Sequence, residues 1–532
     1  MCGIIAIYFK YVEKYMPHII AGYKSLKNRG PDDGALICAP HILGFRRLKI
    51  NDMTNKGMQP FQKNGVFMMC NGEIFNHREL EEKHGITTDS ESDCECILDL
   101  YLKFGFERMI KMLDGDFALV IIDKDKMYFG RDRVGVRPLF FGRTRSGNFA
   151  VASTATALMD YCFSVSHVIP GWGCYFHRAD KAYFYSYGLP KHVTEGTALP
   201  TLIRNTLVDS VRKRLMSDRP IGCLLSGGLD SSLIASILSK LIGAQNVRTY
   251  SIGMEGSADL HHAKQVARYL GTKHTEVTFT ANEGILAIPN VIRDLESFDI
   301  TTIRASVGMW LLCKYIKENT DDVVLFSGEG SDELFGGYLY FHHAPNNKEF
   351  EQESLRLVKE LYKYDVLRAD RCVSSHGLEL RVPFLDKTLL NICLSIPGEF
   401  RKPKNGIEKH LLREAFQDGF LPDNVLWRRK DGMSDGVSGR EKRWCDHISD
   451  FVNPQYTDQQ LREYDLPSKE ALYYRKTYDM MFPKYQPYYE FWLPKWIDHG
   501  GDPSGRIVKA FNEEYSNSKI DTTIFDSESK EN

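Results

Sequence analysis

Three short stretches carry residue types that do chemistry. The chain opens MCGIIAIYFK, with Cys2 ahead of a glycine and an alternating apolar run, either as an accident of packing or as a nucleophile set at the chain's start. Further on, CLLSGGLDSSLIAS runs apolar strand residues into Ser226-Gly227-Gly228, and Leu233, Ile234, Ile237, Leu238 and Leu241 then recur at helical spacing. Such a loop frees backbone N–H groups at its glycines, adds the hydroxyls of Ser226, Ser231 and Ser232, and aims a positive helix end at its guest: an anion cradle that suits phosphate. A bare Gly-Gly is equally a tight strand-to-helix turn. No GxxxxGK[ST] occurs, so the lysine that grips β- and γ-phosphates in a Walker loop is missing, which argues against ordinary γ-phosphoryl transfer. Asp230 inside a phosphate cradle would repel the guest unless a cation lay between them, which implies Mg²⁺ bridging to pyrophosphate oxygens. A second loop, Ser327-Gly328-Glu329-Gly330-Ser331-Asp332, offers Asp332 for the same ion, and Glu329 as a base or as a clamp on an attacking group.

These loops need elements to hold them. From Cys2 to about Tyr187 the texture is β-rich: CGIIAIYF, GVFMMCNGEIF, GDFALVIID, MYFGRD and RPLFFGR are short apolar runs between Gly, Asn and Asp turn signals, with a helical pattern in DCECILDLYLKF. That predicts layered sheets with helices outside. Residues 188–200, GLPKHVTEGTALP, carry little apolar content and mark a boundary. Beyond it the rhythm becomes strand, Gly-rich turn, helix, as in IGCLLSGGLDSSLIASILSKLI, VRTYSIGM and DVVLFSGEGSDELFGG, which predicts a parallel α/β sheet with ligands at the strands' carboxyl ends. The expected division is 2–187, 200–515 and a flexible polar tail over 516–532.

Length and composition bound the rest. The 532 residues exceed one compact core, and 43% hydrophobic against 26% charged residues is the balance of a globular protein. With 68 basic and 70 acidic residues the net charge of −2 creates no field to recruit nucleic acid or an anionic membrane. No stretch reaches the roughly 18 apolar residues of a membrane span, and no secretory signal opens the chain, so a cytoplasmic protein is expected. The 12 cysteines lack a metal-type CxxC pairing and are expected to be mostly buried thiols; His261-His262 and His342-His343 are expected to be ordinary histidines.

SGGLDSS is the fingerprint of the pyrophosphate-loop ATP enzymes. Together with MCGI, RGPDDG, NGEIFNH and SGEGSDE it closely resembles the glutamine-hydrolysing asparagine synthetase family, from Cys2 to DPSGR near Arg506. The resemblance implies an N-terminal-nucleophile αββα sandwich, α+β in character, followed by a parallel-sheet α/β adenine-nucleotide domain. It implies ATP, Mg²⁺, glutamine and aspartate as small-molecule partners, and asparagine, AMP, pyrophosphate and glutamate as products through a β-aspartyl-AMP.

Residue by residue, the resemblance makes Cys2 the nucleophile once Met1 is removed, with its own α-amine as base. It makes Asn71 and Gly72 the oxyanion donors, Arg47 the partner of glutamine's α-carboxylate, and Glu73 and Asp93 the lining of its α-amino end. Without it, Asn71-Gly72 reads as a hairpin turn, Arg47 as a surface cation and Lys409 as a solvated residue on an amphipathic helix. In the second half the resemblance puts adenine and ribose near Leu224, Ile252, Ser327 and Gly328, pyrophosphate on Ser226, Gly227, Gly228, Asp230, Ser231 and Ser232, and Mg²⁺ on Asp230 and Asp332. It gives Glu329 a part in adenylate formation and in deprotonating the nitrogen, and has Lys409 steady negative charge. It also implies a protected path for ammonia between the sites.

One departure stands out: Gly432 occupies the third position of Lys430-Asp431-Gly432-Met433, where the family usually carries bulkier residues, and this puts closure of that loop in doubt. A phosphoribosyl amidotransferase would share the Cys2 half but should carry paired aspartates that DVVLFSGEGSD lacks. A β-lactam-forming relative should have lost Cys2, and a silent scaffold has no need of these reactive groups. The sequence leaves open whether the chain forms a homodimer.

Overall fold

The computed structural model describes residues 1–8, 15–38, 41–145, 147–177, 181–186, 199–429, 436–439, 442–485 and 491–497. In the strand Gly3–Tyr8 every residue is buried, which an alternating strand achieves only when both its faces are covered. Ile4, Ala6 and Tyr8 meet Met69, Val120 and Phe129 of a facing sheet, while Ile5 and Ile7 pack with Ile19 and Tyr23 of the helix Met16–Ser25. Each of the three isoleucines of this strand contributes about 1.5–3 kcal/mol by leaving water.

Both sheets are antiparallel and six-stranded. The first runs Cys162–His167, Phe140–Thr144, Phe149–Ala152, Gly3–Tyr8, Ile42–Arg47, Asp33–Ile37; the second runs Lys181–Ser186, Trp172–His177, Lys126–Arg131, Gly115–Asp123, Val66–Ile74, Phe61–Lys63. The helices Cys96–Phe104 and Phe106–Met112 cover the outer face of the second sheet, packing Ile97, Leu100 and Met109 on Met68, Cys70 and Leu119. The layers are therefore helix, sheet, sheet, helix, as expected.

The second half holds a five-stranded parallel sheet in the order Lys273–Thr278, Arg248–Gly253, Ile221–Leu224, Val324–Phe326, Glu379–Arg381. Chain order runs outward in one direction from Ile221–Leu224 and then reverses to Val324–Phe326, so the switch point of the sheet lies between these two strands. Ligands of open parallel sheets bind at that crevice. The SGGLDSS loop follows one of the two strands and SGEGSDE the other.

A continuous core extends from Met1, Ile5 and Ile7 into Cys223, Phe326 and Leu378 of the second half. Polar pairs cross the same seam: Arg29 to Asp370 at 2.8 Å, Arg214 to Asp116 at 3.3 Å, and the Ala155 N–H donating to Glu296 Oε2 at 3.0 Å. The boundary expected at 188–200 falls largely outside the described residues, as do the tail and the Gly432 departure. The cysteines are unpaired, nine of the 12 being buried. No helix among the described residues is long and apolar enough to cross a membrane.

Candidate active sites

The first site forms where the two antiparallel sheets meet at one end. The register Gly3↔Arg46 brings Cys2 to the end of the strand that carries Arg47, and Cys2 packs at the margin of the inter-sheet core. Its thiol points to the Leu48 carbonyl at 3.7 Å, and its own carbonyl accepts from Arg29 Nε at 3.0 Å. Burial holds the thiol above its ordinary pKa. Met1 is also buried: its amine donates to the Leu378 carbonyl at 3.2 Å, and burial pushes it down to about 6.

Asn71 and Gly72 form no hairpin. They lie inside the strand Val66–Ile74, paired with Ala118 and Phe117, because the neighbouring strand Gly115–Asp123 continues past them. A Cβ at position 72 would stand 2.2 Å from the Asp116 carbonyl oxygen, so glycine is demanded by the close approach of that strand and not by a turn. Asn71 is fully buried, and neither its amide nitrogen nor its oxygen has a hydrogen-bond partner among the described residues. An orphaned buried amide costs about 1–3 kcal/mol, and such groups in native proteins mark sites completed by something else.

Arg47 is not a surface cation. It is 3% exposed, with Nη1 donating to the Thr54 carbonyl at 2.6 Å and Nη2 to the carbonyls of Asp52 and of Asn51, the latter at 3.4 Å. Glu73 and Asp93 converge on Asn51, whose amide donates to both, at 3.2 Å to Asp93. The Ile74 N–H also donates to Asp93, at 2.6 Å. Burial pushes both carboxyls up, and at Glu73 the charge of Asp93 adds to it. The nearest cation to this buried acid pair is Arg381, 3.6 Å from Glu73 and too far to hydrogen-bond it, which leaves room for an ammonium between the acids.

The second site is an open cleft at the switch point of the parallel sheet. Leu224, Ile252, Ser327 and Gly328 line it together with Ser226, Gly228, Asp230 and Ser231. Gly227 turns the loop at φ +73° with its face against His262 and Ala263, where a Cβ would meet backbone at 2.5 Å. Gly227 and Ser232 do not line the cavity; Ser232 is fully buried on the inner side of the helix Leu229–Ile242. Ser226 and Ser231 hold each other through their hydroxyls at 3.0 Å, and Arg428 fastens the Gly227 carbonyl at 2.9 Å.

Lys409 is not a solvated helix residue. It sits in the left-handed region at φ +56°, before the helix His410–Ala415, and is 2% exposed. Its ammonium bridges Asp230 at 2.6 Å and Asp332 at 2.8 Å. Burial opposes that charge, but the two acids outweigh burial and raise the pKa of the ammonium. Ser331 Oγ donates to Asp230 at 2.8 Å. Two carboxylates converging on one cation are the hard oxygen donors that Mg²⁺ takes alongside phosphate oxygens and water, so the donor set fits that ion.

Glu329 lies beside them, paired with Arg368 Nη2 at 2.9 Å; Arg368 Nε in turn holds Asp365 at 2.7 Å. Burial pushes the Glu329 carboxyl up to about 7 against the pull of Arg368. Arg304 also lines the cavity, fastened by Glu470 with Nε donating at 2.7 Å. Asn51, Arg304, Arg368 and Arg428 escape sequence reasoning. Each acts through at least one partner far along the chain: Asn51 through Glu73 and Asp93, Arg304 through Glu470, Arg368 through Glu329 and Arg428 through the Gly227 carbonyl.

Similarity to known proteins covers both sites. The glutamine amidotransferase domain family matches residues 1–175, and the asparagine synthase family matches 202–357 and 343–493. The asparagine synthetase [glutamine-hydrolyzing] of Cricetulus griseus is 44% identical over a 559-residue alignment, covering 96% of this chain and 98% of that protein. Those of Rattus norvegicus and Homo sapiens are each 42% identical over the same spans. The chain belongs to the glutamine-hydrolysing asparagine synthetase family.

Proposed function

We propose that this chain makes L-asparagine from L-aspartate and ATP with nitrogen taken from L-glutamine, residues 2–187 acting as the glutaminase and 200–515 as the ligase. Once Met1 is removed, the Cys2 α-amine takes the thiol proton and the sulfur attacks the glutamine amide carbon. Asn71 Nδ2 and the Gly72 N–H receive the oxyanion. Arg47 takes the α-carboxylate, and Glu73 with Asp93 the α-ammonium. Ammonia leaves, and water hydrolyses the thioester to glutamate. Met1 fills the seam between Cys2 and Leu378, so its loss also opens space on the side facing the second half.

At the second site the adenosine lies along Leu224, Ile252, Ser327 and Gly328, with the phosphates against Ser226, Gly228, Asp230 and Ser231. Aspartate's side-chain carboxylate attacks the α-phosphorus and pyrophosphate leaves. Ammonia attacks the resulting acyl-adenylate, Glu329 accepts its proton, and AMP departs. Asp230 and Asp332 are the residues that would hold Mg²⁺, which when bound offsets phosphate charge. Lys409 then places its ammonium against the reacting phosphate or the tetrahedral centre.

The observation that carries this reading is the orphaned, buried Asn71 amide in the strand Val66–Ile74, on the same chain as a phosphate-type loop whose acids Asp230 and Asp332 already converge on a cation. The test incubates the purified chain with aspartate, ATP and Mg²⁺, with glutamine or ammonium in parallel. Asparagine and AMP from both nitrogen sources are expected. ADP in place of AMP, or no asparagine from either source, contradicts the reading.

A further inference from the structure

Arg381 ends the edge strand Glu379–Arg381 of the parallel sheet and is fully buried. Its carbonyl accepts from the Ser327 N–H at 3.0 Å, at the start of the nucleotide loop. Its guanidinium turns the other way, across the seam. Nε and Nη2 donate to Glu379 Oε1 at 3.0 and 2.9 Å, and Nη1 donates to the Met216 carbonyl at 2.6 Å and to that of Arg214. Of the five N–H groups an arginine carries, these contacts take four. The remaining Nη2 proton is on the nitrogen that stands 3.6 Å from Glu73 Oε2.

That separation is too long for a hydrogen bond and short enough for a charge contact in a buried setting. Glu73 is 4% exposed and faces the negative charges of Asp93 and Glu379; the cations facing it are Arg381 and Arg137. Buried carboxylates crowded together do not all stay ionised without a fixed cation. Four donor contacts lock the fork of Arg381, so its charge cannot follow Glu73 if the glutamate swings away.

We propose that Arg381, although part of the ATP-binding half, is a positioning residue of the glutamine pocket that holds Glu73 against the α-ammonium end of glutamine. The proposal rests on the reading of Glu73 given above. It makes glutamine affinity at the first site depend on a residue whose backbone belongs to the second.

The test compares Arg381→Gln, which removes the charge, and Arg381→Lys, which keeps a charge without the fork, with wild type in the full-length protein. Glutaminase KM and kcat, and ammonia-dependent asparagine synthesis, are measured for each. Arg381→Gln is expected to raise the KM for glutamine about tenfold and Arg381→Lys about threefold, with glutaminase kcat and ammonia-dependent synthesis within about twofold of wild type. An unchanged KM, or a parallel loss of both activities as a purely structural role would give, overturns the proposal. If Arg381→Gln does not fold, Arg381→Lys decides by the same criteria. Wild-type protein that releases no glutamate from glutamine would instead overturn the reading of the first site.

Discussion

The two centres face opposite electrostatic problems. The proposed glutamine pocket is built within and between antiparallel strands and leaves hydrogen bonds unmet: the Asn71 side chain has no partner among the described residues, and Glu73 and Asp93 share one neutral amide, with Arg381 standing off at 3.6 Å from Glu73. It is prepared for a ligand that brings both signs of charge. The nucleotide cavity is built from loops at the ends of parallel strands, where Asp230 and Asp332 are already met by Lys409 and Glu329 by Arg368. A polyphosphate entering there must be accompanied by a redistribution of cations. Rigid strands can hold unmet groups in place for a small ligand, whereas loops supply the freedom to re-pair them.

The largest expected effect separates the centres altogether. Cys2→Ala should lower glutamine-dependent synthesis by about 10³-fold or more, leaving ammonia-dependent synthesis within about twofold. Loss of both would mean that the halves are not separable. Next, Asn71→Ala should lower glutaminase kcat by about 10²–10³-fold with little change in KM, because an oxyanion donor acts in the transition state. A change confined to KM would make Asn71 a ground-state binding residue and remove the contrast in preparedness.

Lys409→Met tests the other side. It should cut synthesis from either nitrogen source by about 10²-fold and remove the ammonium that Asp230 and Asp332 share. Added Mg²⁺ should then raise the melting temperature of Lys409→Met more than that of wild type. Equal shifts would show that the two acids do not form the ion's site.

The smallest effect is a pH profile. Burial pushes the Glu329 carboxyl up to about 7, so its ionised, proton-accepting form is lost as the pH falls below that value. At a fixed concentration of free NH₃, asparagine synthesis should fall several-fold from about pH 8 to about pH 6 in wild type, and Glu329→Gln should lose this limb. A wild-type profile flat across that interval would remove Glu329 as the acceptor.

Local signals in the sequence account for much of this. The runs that became Gly3–Tyr8, Gly115–Asp123 and Ile221–Leu224 are strands because apolar β-formers between turn residues have few alternatives. Asn71-Gly72 shows where local signals mislead: a dipeptide that favours a turn is held extended by pairing on its neighbour strand. Arg47 and Lys409 look like surface cations until their partners are known. Lys409 meets Asp230, 179 positions away, and no local pattern encodes that distance. The same holds for Arg381 and Glu73, which belong to different halves of the chain.

In the proposed reaction two chemically distinct centres in one chain pass nitrogen from one to the other. The most direct test supplies glutamine labelled with ¹⁵N at its amide together with excess unlabelled ammonium, and reads the label in the asparagine formed with ATP and aspartate. Asparagine that keeps most of the glutamine label despite the unlabelled pool is the predicted result. Label diluted to the composition of the bulk ammonium would contradict it.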